Sequence, residues 1–393
     1  MRFIHTSDWH IGRLFQNQSL LDDQQYVLAQ IKQHLLDQQA DALVIAGDIF
    51  DRSVPPAEAV QVLDDFIAEL DELDIVTIII SGNHDSAKRL RFGARQMQQS
   101  GLHIMADISK LCEPVVLEKA DEKVVFYGLP YHDPSEVRLT FVDDPKAADI
   151  RSYDQAHTYC VEAMLSHKQC HHPDSAAVLL SHCFIDGASE SDSERPLSLG
   201  GADRVSWQPL TAFDYVALGH LHGPQFKGAE HIRYSGSIMK YSFSEYKQRK
   251  VVNLVEITNN QLTQITPLAL YPKRDVKVIE GTLHELLTQG RQYVEEHGQA
   301  CEDYYLAKLT DTELMLDPMG QLRAVYPNVM QLERVNFAQG DSKLDIADQQ
   351  NRKSESEVFA DFYQQVMGQS LTDEQIEVIN ACIGEVKKAA EQQ

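Results

Sequence analysis

The chain has 393 residues, 43% hydrophobic and 24% charged, enough to bury a large core and to form two or three domains. Its 35 basic and 59 acidic residues give a formal net charge of −24, which argues against a free-standing binder of nucleic-acid backbone but leaves room for local basic patches or a basic partner. No apolar run is long enough for a membrane helix, the N-terminus lacks a signal-peptide core, and the six scattered cysteines form no CxxC pair, so reduced thiols and a cytoplasmic location are expected.

In chain order, RFIHTSD (2–8), ADALVIAGD (40–48) and IVTIIISG (75–82) read as buried strands that end in glycine or polar residues. Helical spacing fills 20–38 and 56–73. In the second, Val60, Leu63, Phe66, Ile67 and Leu70 share a face, and Pro55-Pro56 stands at the start. This βαβαβ pattern predicts α/β layers. Further strands are predicted at 124–131, 176–184, 214–222, 231–237 and 250–257, with a helix over 153–168. LYPKRDV (270–276) reads as a linker or a first edge strand. A helix at 282–297 and strands at 304–311 and 328–335 then predict a small α+β domain. Residues 338–356 are polar and read as a flexible linker.

The tail, 357–390, reads as two amphipathic helices. Val358, Phe359, Phe362 and Val366 form one stripe, and Gly368 can cap that helix. Thr372 to Gln375 fits a capping box, and Ile376, Ile379, Ile383 and Val386 line the second face. After a polar linker such helices lack a core of their own, which favours a partner groove.

Polar groups follow the apolar runs five times: Asp8-Trp9-His10, Gly47-Asp48, Gly82-Asn83-His84-Asp85, Ser181-His182, and Gly219-His220-Leu221-His222. Beyond the carboxyl ends of α/β strands such groups can converge. The D-x-H and H-x-H spacings let each pair present two ligands to one side. Asp8, His10, Asp48, Asn83, His182, His220 and His222 supply oxygen and imidazole without thiolate, which suits manganese, iron or zinc. Seven ligands exceed one tetrahedral site, so two ions sharing a bridging carboxylate are expected.

All five pieces in this order resemble the metallophosphoesterase (calcineurin-like) superfamily. MRFIHTSDWHIG, GDIFDRSVPP, SESDSERPLSLGG and YSGSIMKYSFSE resemble the SbcD-type nuclease subunits of bacterial SbcCD complexes. The resemblance spans essentially the whole chain and is most specific over 1–260. It implies a four-layer αββα sandwich over 1–270, an α+β capping domain over 271–337, the linker 338–356, and helices over 357–393 that grip the SMC-like ATPase subunit SbcC. Carried onto this sequence, it gives Asp8, His10 and His222 to a first ion and Asn83, His182 and His220 to a second, with Asp48 as the bridge and Mn²⁺ as the expected metal.

The resemblance also assigns His84 to the phosphate or the leaving 3′-oxygen. Asp51, in GDIFDR, is expected to orient His84 with its carboxylate, as in related phosphatases. Arg52, Arg195, Lys88, Arg89 and Arg91 are candidates for DNA contact, and Lys247, Arg249 and Lys250 form a later basic cluster. His5 and Trp9 read as structural. The implied activity is hydrolysis of DNA phosphodiesters, 3′ to 5′ at duplex ends and within single strands and hairpins, in an ATP-dependent repair complex. The resemblance implies a homodimer within a heterotetramer, with 56–73 and 88–100 as candidates for its interface, although the sequence alone also allows ordinary layer helices there. The rivals are a phosphoprotein phosphatase or cyclic-nucleotide phosphodiesterase, and a metal-stabilised scaffold without catalysis.

Overall fold

In the computed structural model the described residues are 1–194, 203–313, 315–335, 356, 359–360, 363–364 and 367–390. The chain forms two compact units, Met1–Asp275 and Val276–Gln393.

The first unit is built on two six-stranded sheets. One runs Gln261–Ala269, Val251–Thr258, Arg2–Thr6, Ala42–Ala46, Val76–Ile80, Leu102–Met105. The other runs Gln225–Lys227, Ala229–Tyr234, Tyr215–Gly219, Ala176–His182, Glu122–Leu129, Val115–Lys119. The central strands of each sheet are parallel; antiparallel strands flank both sides of the second sheet and one side of the first, whose other edge, Leu102–Met105, is parallel. Strands covered on both faces need apolar residues at every position, which explains the unbroken runs ALVIA and YVALG.

Phe3, Val44, Ile78, Phe126, Val178, Leu180, Tyr215 and Val255 fill the space between the sheets. Helices Leu21–Asp37 and Ala57–Glu72 bury their apolar stripes, and helix Tyr153–His171 packs Ala156, Cys160, Val161 and Met164 into the core on the second sheet. The architecture is the expected αββα sandwich. Sequence reading missed the flanking strands 102–105, 115–119, 225–227 and 261–269, several of which are short or half exposed.

The register sets the strand ends level. Thr6 pairs with Ile45, Ala46 with Ile80, and Gly219 with His182. Each of the five polar groups therefore leaves its sheet at the same end of the sandwich.

The second unit holds three parallel strands, Val276–Gly281, Tyr304–Leu309 and Val329–Arg334, in that order. Helices Leu283–His297 and Pro318–Arg323 connect them. Of the two readings of 270–276, residue 276 begins an edge strand. Thr282 and Glu285 form a capping box at the first helix. In the tail, Thr372 and Gln375 exchange the two bonds of the expected box, and Gly368 takes φ 66° with its N–H on the Gln364 carbonyl. Val358, Phe362 and Val366 lie outside the described residues, as does the side chain of Val386. All six cysteines are unpaired. Among the described residues no helix is long and apolar enough to cross a membrane.

Candidate metal centre

The loop after Arg2–Thr6 runs beside the loop after Ala42–Ala46. Asp8 N–H donates to the Gly47 carbonyl at 3.1 Å and His10 N–H to the Asp48 carbonyl at 3.0 Å. Asp8, His10 and Asp48 take left-handed backbone angles (φ 52°, 45° and 51°), and His220 has φ 107°. Four of the seven expected ligands thus hold conformations that non-glycine residues seldom adopt, a form of strain that collects at functional sites. Close approach also dictates two glycines. A Cβ on Gly82 would lie 2.1 Å from Asp48 Oδ1, and one on Gly219 would lie 2.0 Å from the Ala46 carbonyl.

The seven side chains converge. One carboxylate or ring atom from each of Asp8, His10 and His222 falls within 4.8 Å of the others, and the same holds for Asp8, Asp48 and His182. His10 Nε2 and His222 Nε2 face each other at 3.1 Å. Asn83 Oδ1 lies 2.9 Å from His182 Nε2 and 3.2 Å from His220 Nδ1, and His182 Nε2 is 3.5 Å from Asp48 Oδ2. The structure therefore brings together the two triads and Asp48 between them.

Electrostatics test whether the set fits cations. Burial, reinforced by neighbouring imidazoles, pushes the His10 and His220 pKa values well below the usual histidine range. Burial also lowers that of His182, though Asp48 and the Ala46 carbonyl oppose it. Burial and the nearby Asp48 raise that of Asp8. Neutral imidazoles offer lone pairs, and crowded carboxylates call for positive charge. The Nδ2 of Asn83 and the Nδ1 of His10 are buried without a hydrogen-bond partner. Oxygen and nitrogen donors with no thiolate fit divalent ions such as manganese, iron or zinc.

His84 stands at the half-buried rim and offers a ring nitrogen to the same cluster as His10 and Asp48. Its N–H donates to Asp48 Oδ1 at 2.9 Å, and its Nδ1 donates to the backbone carbonyl of Asp51 at 2.8 Å. The expected carboxylate–imidazole pair is thus corrected. The Asp51 carboxylate turns instead to Arg13 Nη1 at 3.2 Å and faces His10 Nδ1 at 3.7 Å. Asp85 receives three backbone N–H groups, from Ile49, Phe50 and Gly82, and so pins the two loops together. Burial, helped by Asp48, pushes its pKa up to about 6.

The supporting residues escaped sequence reading. Gln24 donates to the Trp9 and His10 carbonyls and accepts from Gly12 N–H. Tyr241 donates to the Trp9 carbonyl. Ser193 accepts from His222 Nδ1 at 2.6 Å and donates to Glu245. Glu194 accepts from His222 N–H at 2.7 Å. A signal for some of them existed, since SESDSE and YSGSIMKYSFSE contain Ser193, Glu194, Tyr241 and Glu245.

Lys250 leaves the expected DNA cluster: it is 5% exposed and paired with the fully buried Glu245. Burial alone would raise the Glu245 carboxyl, but Lys250 and hydrogen bonding outweigh that and hold it well below the usual range. Arg91 is tied to Asp107, which removes it as a free phosphate contact. Lys88, Arg89 and Arg52 are exposed, with Arg52 Nε 3.8 Å from Asp51. Arg195 lies outside the described residues. Trp9 is fully buried, donates to Thr6 Oγ1 and meets Phe66 edge-on. His5 contacts Tyr215 Oη and the Leu218 carbonyl.

The calcineurin-like phosphoesterase profile matches residues 1–224. The profile described as type 5 capsule protein repressor C-terminal domain matches 272–367. The D subunit of the SbcCD nuclease from Staphylococcus epidermidis is 37% identical over 96% of this chain and 97% of its own. The chain belongs to the SbcD family of calcineurin-like phosphoesterases. Membership makes it a metallophosphoesterase-type hydrolase, whose chemistry requires divalent metal ions. Among solved structures, a dimetal phosphatase from Danio rerio aligns at 11% identity over 69% of this chain and 99% of its own, with a TM-score of 0.40. A Thermus thermophilus protein aligns at 12% over 68% and 98%, with a TM-score of 0.38.

Proposed function

We propose that the chain is the nuclease subunit of an ATP-dependent DNA repair complex and hydrolyses DNA phosphodiesters with two Mn²⁺ ions. The observation that carries this reading is the convergence of two imidazole-rich triads and Asp48 at one end of the sandwich, with His84 at the rim. Near full-length similarity to the SbcCD D subunit supports DNA as the substrate.

Asp8, His10 and His222 would hold one ion, Asn83, His182 and His220 the other, and Asp48 both. Such ions activate water and neutralise phosphate charge. The protein's own part is positioning. The Asp51 carbonyl fixes the Nδ1–H tautomer of His84 and leaves its other nitrogen for the phosphate or the leaving oxygen. Arg52, Lys88 and Arg89 would follow the DNA backbone. Duplex-end 3′ to 5′ degradation and cutting of single strands and hairpins are the proposed activities.

Residues 271–337 would cap the nuclease domain 1–270, and 338–356 would link them to the ATPase-binding helices. Exposure of Phe359, Ile376 and Val378 supports a partner groove for the tail, with an SMC-like ATPase such as SbcC as the partner. A homodimer within a heterotetramer is proposed for the assembly.

The test is cleavage of hairpin DNA with Mn²⁺ by wild type and His84→Ala, with bound metal measured in both. Loss of cleavage with metal retained is expected. Equal cleavage removes the role of His84. No DNA cleavage but rapid phosphoprotein turnover transfers the activity to a phosphatase.

A further inference from the structure

The two ligand triads are backed by different chemistry. In the first triad, His222 Nδ1 donates to Ser193 Oγ at 2.6 Å. Ser193 donates onward to Glu245 Oε1, which itself lies 3.5 Å from that ring nitrogen. Glu245 is fully buried and is held by Lys250. Lys250 Nζ also donates to the His222 carbonyl at 2.8 Å and to Ser237 Oγ at 2.8 Å. The His222 backbone is thus gripped at both polar atoms, since Glu194 accepts its N–H. The second imidazole, His10, has its Nδ1 buried without a hydrogen-bond partner, 3.7 Å from Asp51 Oδ1. Asp8 adds a carboxylate of its own, oriented by Ser7 Oγ at 2.6 Å and by His220 N–H.

Among the described residues, the members of the second triad show no relay of this kind. His182 Nδ1 donates to the Ala46 carbonyl at 2.9 Å, a neutral acceptor. Asn83 is a neutral amide. Its three members bring no carboxylate of their own, although Asp8 as well as Asp48 comes within 4.8 Å of a His182 ring nitrogen.

An imidazole whose far N–H donates toward a carboxylate is a more basic ligand than one that donates to a carbonyl. Lys250 offsets the net charge of Glu245 but leaves Oε1 as the acceptor at the end of the relay. The effect on His222 is therefore one of local hydrogen bonding and ring orientation.

Building on the proposal that these residues ligate two metal ions, we infer that the two ion positions are unequal. The Asp8–His10–His222 position fills first and retains its ion, and Glu245 acts through Ser193 as a positioning residue for it. The Asn83–His182–His220 position takes the later, more readily exchanged ion.

Calorimetric titration of the chelator-stripped full-length protein with Mn²⁺ tests this, with free Mn²⁺ followed by electron paramagnetic resonance. Wild type is expected to show two steps about tenfold or more apart. Ser193→Ala and Glu245→Gln are each expected to weaken the tighter step about tenfold and leave the weaker one in place. Ser193→Ala keeps the Glu245–Lys250 pair, so it serves if Glu245→Gln fails to fold. His182→Ala is expected to remove only the weaker step. Two equal steps in wild type, or a Ser193→Ala shift in neither step or in the weaker one, overturn the inference and leave the two-metal reading standing. Absence of two-ion uptake by folded wild type overturns the two-metal reading itself.

Discussion

The imidazole of His84 donates from Nδ1 to the backbone carbonyl of Asp51, 2.8 Å away, while the Asp51 carboxylate binds Arg13 and faces His10. A backbone acceptor orients the ring without depending on the side chain. Asp51→Asn should therefore keep His84 in place and act through His10. Its Mn²⁺ requirement is expected to rise up to about tenfold, with near wild-type turnover once Mn²⁺ is saturating. His84→Ala should bind Mn²⁺ normally and lose about 100-fold or more in turnover. Hairpin cleavage across a Mn²⁺ titration separates the two. If Asp51→Asn is as inactive as His84→Ala at saturating Mn²⁺, the carboxylate serves His84 after all.

The residues that converge were legible in the sequence because each lies at or just beyond the end of an apolar strand, so the strand pattern itself places it at the sheet end. The fold layers were legible for the same reason: fully buried strands and amphipathic helices carry strong periodic signals. The residues that brace this cluster were not. Gln24 and Glu245 look like surface residues until remote segments supply their partners. Lys250 sits beside Lys247 and Arg249 with nothing local to mark it as the buried one. Asp85 becomes intelligible only when the 48–50 loop is placed against it.

Gly82 should not tolerate a side chain. A Cβ there would stand 2.1 Å from Asp48 Oδ1 and 2.4 Å from the Asp48 nitrogen, both on a loop held by Asp85. Gly82→Ala is expected to cost about 1–3 kcal/mol of stability and to displace Asp48. Thermal unfolding and bound-metal analysis should show a lower midpoint together with reduced uptake. Full uptake at an unchanged midpoint would mean that the two loops yield more easily than their hydrogen bonds indicate.

Asp23, on helix Leu21–Asp37, is fully buried and takes a bidentate guanidinium from Arg274, at the end of the first unit. Arg274→Met strips that cation from a buried carboxylate, and a loss of about 3–5 kcal/mol is expected. The double variant Asp23→Leu, Arg274→Met removes both charges and should recover much of it. Urea unfolding of the three proteins forms the comparison. A double variant no better than the single one would show that hydrogen bonding at Asp23, rather than unpaired charge, dominates.

His5 carries a pH prediction. Burial pushes its pKa down to about 3, opposed by its contact with the Leu218 carbonyl. In the unfolded chain it titrates near about 6.5. The folded ring stays neutral while the unfolded one gains a proton, so stability falls as pH drops from about 6.5 toward 3. The slope is at most about 1.4 kcal/mol per pH unit for this ring. His5→Gln should unfold more easily at pH 8, where the ring is neutral in both states, yet lose less stability on going to pH 5. An unchanged pH slope of the melting midpoint would count against a buried neutral His5.

Phe92 is 85% exposed and Val60 45%, and both line a groove of about 540 Å³. Leu63, Ile67, Leu90 and Met97 add apolar lining. The same groove carries Arg52 and Arg89 together with Asp64 and Asp71, so its charges are of both signs. A two-fold interface requires a patch complementary to itself, and apolar walls with mixed charge meet that need. Covering each large apolar side chain is worth about 1.5–3 kcal/mol, enough for two such residues per copy to decide association. If the proposed homodimer uses this groove, Val60→Glu with Phe92→Glu is expected to leave a monomer by light scattering where wild type is a dimer, with Mn²⁺ uptake unchanged because neither residue is in the metal cluster. A double variant that remains dimeric would move the homodimer contact to another face.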